Sequence, residues 1–175
     1  MVNILKFGGS SVSKVKSINN VKNIINRYPE KTVAVVSAFY GVTNKLIKTM
    51  EHAEMGRCKK MNEELGILRT YHTGVLSELS NSRSRSIECS EHINTIFSSL
   101  DRSFEEILDT NKIIPRNYDN IVSVGEKLSA YIVASSDEKY KYIDDIIVTN
   151  TNHGNSYPIM NLTKKKMYFN YGIIF

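Results

Sequence analysis

Val2-Asn3-Ile4-Leu5-Lys6-Phe7-Gly8-Gly9-Ser10-Ser11-Val12 opens the chain, and its reading sets the frame for everything downstream. Residues 2–7 are predominantly apolar and predict a buried strand. Gly8 and Gly9 then break the strand. Beyond them Val15, Ile18, Val21, Ile24 and Ile25 recur at three- and four-residue steps, the pattern of a helix with one apolar face. Pro29 closes that helix. Thr32 to Ser37 is a second apolar run, of the type buried on both faces of a parallel sheet. Val42, Leu46, Ile47 and Met50 define a second helix. Strand, helix, strand, helix with short joints is a βαβ unit, so the chain is predicted to be α/β.

The middle of the chain changes character. From Glu51 to about Leu108 there is no strand signal and no proline. Leu65, Leu68, Tyr71, His72, Val75, Leu76 and Leu79 form one helical stripe, and Ile87, Ile93, Ile96, Phe97, Leu100, Phe104, Ile107 and Leu108 form another. With Asn81–Ser86 as a polar joint, this predicts a helical hairpin inserted at about residues 51–110. A strand at Ile121–Ser123 is expected next, then a helix from Gly125 to about Ser135. A further strand is expected over Tyr142–Thr149, then a turn through Thr151–Ser156 closed by Pro158, and a short helix over Met160–Asn170. Gly172-Ile173-Ile174-Phe175 resembles a strand that has just begun.

Composition narrows the function classes. In 175 residues, 41% hydrophobic and 23% charged, there is enough apolar material for a substantial core. The net charge of +5 is scattered, and Lys164-Lys165-Lys166 is too short a run to indicate nucleic acid. No apolar run reaches the ~18–20 residues a bilayer requires. Residues 1–9 lack the basic start and cleavage site of a signal peptide. Cys58 and Cys89 match no metal-ligand spacing, and a reducing, cytoplasmic setting is expected.

Three junctions carry candidate chemistry. A lysine at a strand end is expensive to bury unless it meets an anion, and adjacent glycines let backbone N–H groups approach phosphate oxygens. Lys6 with Gly8 and Gly9 therefore suits phosphoryl transfer, where positioned positive charge stabilises the transferring group; an ordinary strand-turn with an exposed lysine is the alternative. Ser37, at the end of the second strand, should face the same crevice as Lys6. Thr43 is either a helix cap or a second polar group in that crevice. Glu126, read as first-turn residue of a helix after a third strand, either offsets the helix dipole or holds a substrate ammonium group. His52, His72 and His92 are expected on the surface, and His153 in a turn that reaches the crevice or lies outside it. No metal constellation is visible.

Taken together, Lys6-Phe7-Gly8-Gly9-Ser10-Ser11-Val12, Val35-Val36-Ser37-Ala38 with Gly41-Val42-Thr43-Asn44-Lys45-Leu46, and Ser123-Val124-Gly125-Glu126-Lys127-Leu128-Ser129 resemble the N-terminal half of an aspartate kinase catalytic domain. The resemblance covers nearly the whole chain and is carried by the order and spacing of all three segments. It implies the amino-acid-kinase fold, a three-layer αβα sandwich around a mainly parallel sheet, here incomplete at the C-terminus. It implies transfer of the ATP γ-phosphoryl group to the side-chain carboxylate of L-aspartate, the entry step to lysine, threonine and methionine synthesis. Lys6 would stabilise the transferring group; Lys6, Phe7, Gly8, Gly9 and Ser10 would line the phosphates. Ser37 and Thr43 would bind aspartate, with Glu126 on its amino group. Mg2+ would accompany ATP, with no protein metal site. His153 stands where the family more often has phenylalanine, and the segment after the Glu126 helix is short. The nucleotide-facing half and the regulatory modules that the resemblance implies are not recognised in these 175 residues. The expectation is therefore a weakly active chain, or an inactive half-domain that forms a homo-oligomer or needs a complementing chain.

Overall fold

The computed structural model describes residues 2–28, 31–79, 83–144, 146–150, 153–154 and 156–171. Strand β1 (Asn3–Phe7) runs through a single 3-10 turn (Gly9–Ser11) into helix α1 (Val15–Ile25), which returns the chain to strand β2 (Thr32–Val36). The strands are parallel, with Leu5 opposite Ala34, Lys6 opposite Val35 and Phe7 opposite Val36. Helices α2 (Val42–Glu54), α3 (Cys58–Leu79), α4 (Arg83–Thr110) and α5 (Pro115–Ser135) follow without an intervening strand, and α6 (Met160–Tyr171) closes the described part.

The core lies among the helices. In α4, Ile93, Phe97, Leu100, Phe104 and Ile107 recur at alternating four- and three-residue steps and are all buried. They meet Leu65, Leu68, Val75 and Leu76 of α3, Leu46 and Met50 of α2, and Ile121, Leu128 and Ile132 of α5 within one cluster. Each such side chain contributes about 1.5–3 kcal/mol by leaving water. This cluster holds the end of β2 in place, because Phe39, three residues past the strand, is 1% exposed within it.

Several expectations change. The second strand is not buried on both faces: Ala34 and Val35 are exposed, as are Ile4 and Lys6 of β1. Side chains alternate along a strand and opposed residues of a parallel pair share a face, so Ile4, Lys6 and Val35 present one face to solvent. The described sheet has two strands. An open groove runs beside β2, between α5 and residues 139–144.

The strand expected at Ile121–Ser123 is part of α5. Pro115 starts that helix ten residues before Gly125, with Ile114 extended before it as a residue preceding proline prefers. Asn117, Ile121, Val124, Leu128 and Ile132 then form a buried stripe at helical spacing, which outweighs the short β-branched run. Where a strand is expected over Tyr142–Thr149, the described residues are irregular chain with one antiparallel bridge, Thr149 to Pro158. Its end is satisfied locally instead: the Val148 N–H donates to Thr163 Oγ1 at 3.0 Å, and the Ile159 N–H to the Val148 carbonyl at 2.7 Å. The polar joint of the hairpin is shorter than expected, since Arg83–Ser86 already belong to α4, and Ile87 is 58% exposed. The expected features at Pro29, at Thr151 and Asn152, and over 172–175 lie outside the described residues. Among the described residues, no helix is long and apolar enough to cross a membrane.

Candidate active site at the carboxyl ends of the strands

The three sequence segments meet at Ala38. Beyond Val36 the chain stays against β1, with the Ser37 N–H donating to the Phe7 carbonyl at 3.1 Å. The turn after β1 touches this segment so closely that a Cβ on Gly9 would stand 2.5 Å from the Ala38 carbonyl oxygen and 3.2 Å from the Tyr40 nitrogen. From the other side α5 presses in. A Cβ on Gly125 would lie 2.7 Å from the Ala38 Cβ and 3.3 Å from Val42 Cγ1. Glycine at 9 and at 125 is thus the condition for three backbones to converge. That convergence lets the Ala38 N–H donate to Glu126 Oε1 at 3.3 Å, 88 residues away in sequence. Three residues further along α5, the Ser129 hydroxyl donates to the Ser37 carbonyl at 2.7 Å.

Around this point the expected site residues fall into two groups. Ser37, Thr43 and Glu126 are brought together by β2, the first turn of α2 and the middle of α5; all three are half-buried. Glu126 is not in a first turn, so it does not offset the α5 dipole. Thr43 is not the α2 cap: Gly41 holds that position with φ of 82°, a left-handed conformation that glycine adopts without strain. The hydroxyls of Ser37 and Thr43 make no hydrogen bond among the described residues, and the N-terminal N–H groups of α2 open beside Thr43.

The second group is Lys6, Phe7, Gly8, Gly9 and Ser10. Phe7 is buried and anchors the turn in the core. A Cβ on Gly8 would meet nothing within 4 Å, so its backbone faces open space. Ser10 is exposed. Lys6 is also exposed and has no hydrogen-bond or ion-pair partner among the described residues; it shares its face with Ile4 and Val35. No hydrogen bond or ion pair joins the Lys6 ammonium to Ser37, Thr43 or Glu126. The two groups are connected through backbone, by the Gly9–Ala38 contact and the Phe7–Ser37 bond.

Four participants were not legible as such. Ser13 Oγ donates to the Gly9 carbonyl and accepts the Tyr40 N–H, the latter at 2.6 Å. The Tyr71 hydroxyl donates to the Ser13 carbonyl at 2.6 Å. His72, expected on the surface, is fully buried and stacks on Phe39 with centroids 5.1 Å apart and planes 10° from parallel. Its Nδ1 lies 2.7 Å from the Leu68 carbonyl, an acceptor, so Nδ1 carries the proton, while buried Nε2 has no partner among the described residues. Burial holds the His72 pKa below the ordinary histidine value. Ser129 closes the segment Ser123–Ser129, and its spacing alone does not reveal the bond to the Ser37 carbonyl. The only signal in sequence was a Tyr-His pair inside an otherwise apolar stripe. His153 lies outside this constellation: it is exposed, 3.8 Å from Asp119 near the start of α5. His52 and His92 are partly buried, with His92 stacked on Tyr131 at 4.1 Å. Cys58 is exposed and Cys89 buried, both as free thiols.

Comparison with known proteins bears on the family and the fold. The chain is 32% identical over 137 residues to "Aspartokinase 1, chloroplastic" of Arabidopsis thaliana, covering 75% of this chain and 22% of that protein. "Aspartokinase 2, chloroplastic" of the same plant is 31% identical over 137 residues, with 75% and 24% covered. The chain thus spans less than a quarter of the length of these relatives. Among solved structures, E. coli aspartokinase III in complex with aspartate and ADP superposes with a TM-score of 0.81 at 22% identity, over 97% of this chain and 37% of that one. Clostridium acetobutylicum aspartate kinase gives a TM-score of 0.66 at 19% identity, over 97% and 35%. These likenesses establish the fold, a helix-rich α/β arrangement around a small parallel sheet. A model of the amino acid kinase family matches residues 1–166, and the chain belongs to that family.

Proposed function

We propose that this chain supplies the aspartate-facing wall and part of the phosphate cradle of an aspartate kinase, which transfers the ATP γ-phosphoryl group to the side-chain carboxylate of L-aspartate. The observation that carries the reading is the convergence at Ala38, where Glu126, Gly9 and the start of α2 come together from three distant segments. Glu126 Oε2 remains to receive the substrate ammonium while Oε1 is held by the Ala38 N–H. The hydroxyls of Ser37 and Thr43 and the N-terminus of α2 suit the α-carboxylate. Lys6 and the open backbone at Gly8 suit phosphate oxygens, and Lys6 would offset charge on the transferring group. The attacking oxygen belongs to the substrate's own carboxylate, ionised at neutral pH, so the protein need supply no general base. Mg2+ would arrive on the nucleotide's oxygens. A cytoplasmic setting fits the free thiols.

A second reading rests on the exposed apolar face: Ile4 is 59% and Val35 47% exposed. On it, turnover waits on a complementing chain that covers this face and contributes the adenine and ribose contacts. Calorimetric titration of the 175-residue protein with L-aspartate, L-glutamate and N-acetyl-L-glutamate tests the substrate class. Aspartate is expected to bind and the others not; equal binding of glutamate would refute an aspartate site. With ATP, Mg2+ and aspartate, hydroxylamine trapping of the acyl phosphate is expected to show little turnover by the chain alone. Turnover at an ordinary enzymatic rate would eliminate the second reading.

A further inference from the structure

We propose that Ser13 is a positioning residue that latches the turn after β1 to the segment after β2, and that Tyr71 steadies this latch from α3; its substrate consequence rests on the function proposed above. Ser13 follows the phosphate-side glycines and is 7% exposed. Its hydroxyl uses both of its capacities: it donates to the Gly9 carbonyl within its own segment and, across the gap, accepts the Tyr40 N–H at 2.6 Å. Tyr40 directly precedes Gly41, the cap of α2, so the latch reaches the helix start that carries Thr43. The Ser13 backbone is fixed in turn, since its carbonyl accepts the Tyr71 hydroxyl at 2.6 Å. Tyr71 neighbours His72, and both rings pack on Phe39, at 5.6 and 5.1 Å between centroids. The hairpin helix therefore grips the site segment at two points, Ser13 and Phe39.

The chemistry gives this geometry a purpose. One segment faces the phosphoryl donor and the other the acceptor, and transfer needs the reacting atoms at roughly 3–3.5 Å in a fixed line. The van der Waals contact of Gly9 with Ala38 limits how close the segments come. A contact resists approach and does not resist separation; at the strand end the Ser37 N–H bond to the Phe7 carbonyl supplies that second restraint, and beyond it, beside the α2 start, the Tyr40 N–H bond to Ser13 does. A serine that merely stabilised the loop would lower the melting temperature when lost and leave ligand affinity in the folded protein unchanged.

The test compares the 175-residue protein with Ser13→Ala, Ser13→Thr and Tyr71→Phe, reading the Tyr40 amide hydrogen-exchange rate by NMR and L-aspartate affinity by calorimetry well below the melting transition. In Ser13→Ala the Tyr40 amide should exchange at least about tenfold faster as it returns to water. Aspartate affinity should fall roughly three- to tenfold, the scale of one lost hydrogen bond. Ser13→Thr should restore both, and Tyr71→Phe should give a smaller shift of the same sign in both. An unchanged Tyr40 rate in Ser13→Ala overturns the latch. So does a faster rate with unaltered aspartate affinity, which would make Ser13 structural only. If the unmodified protein binds no aspartate, the functional reading fails separately, and the latch stands or falls on the Tyr40 rate.

Discussion

At the scale of single residues, the site is built from two glycines and a carboxylate whose parts only the fold explains. Gly9 and Gly125 are visible in sequence as motif positions; what they avoid is not, because Ala38 lies 29 and 87 residues from them in the chain. Gly125→Ala should force α5 away from Ala38 and Val42, costing about 1–3 kcal/mol by overpacking and displacing Glu126. Urea unfolding measures the loss, and an unchanged midpoint would mean that α5 shifts freely. Lys6→Ala should behave oppositely. Lys6 is exposed and without a partner among the described residues, so stability should change by no more than about 0.5 kcal/mol. Tripolyphosphate affinity, followed by calorimetry, should fall about tenfold, the scale of one charge-assisted hydrogen bond. Retention of that affinity would remove Lys6 from the cradle. The position of Lys6 was legible from strand and glycine alone. That its side chain shares the open face with Ile4 was not, because the run 2–7 gives no alternation to read.

Among the elements, β1, β2, α6 and the helices with a long apolar period were legible, and two short β-branched runs were not. α1, α2 and α3 each carry a three-and-four pattern, as does α4 from Ile93 onward, and each helix contains its pattern. Ile121–Ser123 and Tyr142–Thr149 are short β-branched runs whose fate depends on what surrounds them. Pro115 and the buried stripe draw the first into α5; the local bonds of Val148 with Thr163 and Ile159 hold the second as loop. α3 shows another limit, since a histidine in a helical stripe reads as surface until Phe39 and Phe97 are seen to enclose it. Burial leaves His72 neutral in the folded chain, below the ordinary value of 6.5. As pH falls through that value the unfolded chain takes up a proton there and the folded chain does not. His72 thus contributes full stability above the ordinary value and loses it as pH falls toward its own lower pKa. Replacing it with phenylalanine, which keeps a ring against Phe39, should flatten the fall in melting temperature between about pH 7 and 5.5. An equal slope in both proteins would show that His72 does not titrate differently on folding.

For the whole molecule, the fold class was legible because βαβ order and three spaced motifs agree, and the family match over residues 1–166 accords with them. The open sheet face was not legible, since apolar strands look alike whether one face or two are covered. Ile4 and Val35 leave an exposed apolar patch on that face, beside Lys6. Such a patch favours association, so light scattering should show mass rising with protein concentration, and Ile4→Lys with Val35→Lys should suppress the rise. A concentration-independent mass in the unmodified protein would argue that the face is not adhesive. The central claim, however, is that three segments meeting at Ala38 form an aspartate site, and Glu126 is its most exacting member. Calorimetric titration of L-aspartate into the unmodified protein and into Glu126→Gln tests it most directly. The account predicts saturable binding to the first, weakened roughly tenfold or more in the second, the scale of a lost charge-assisted bond to the substrate ammonium. Equal affinity in both proteins, or no binding to the first, would contradict it.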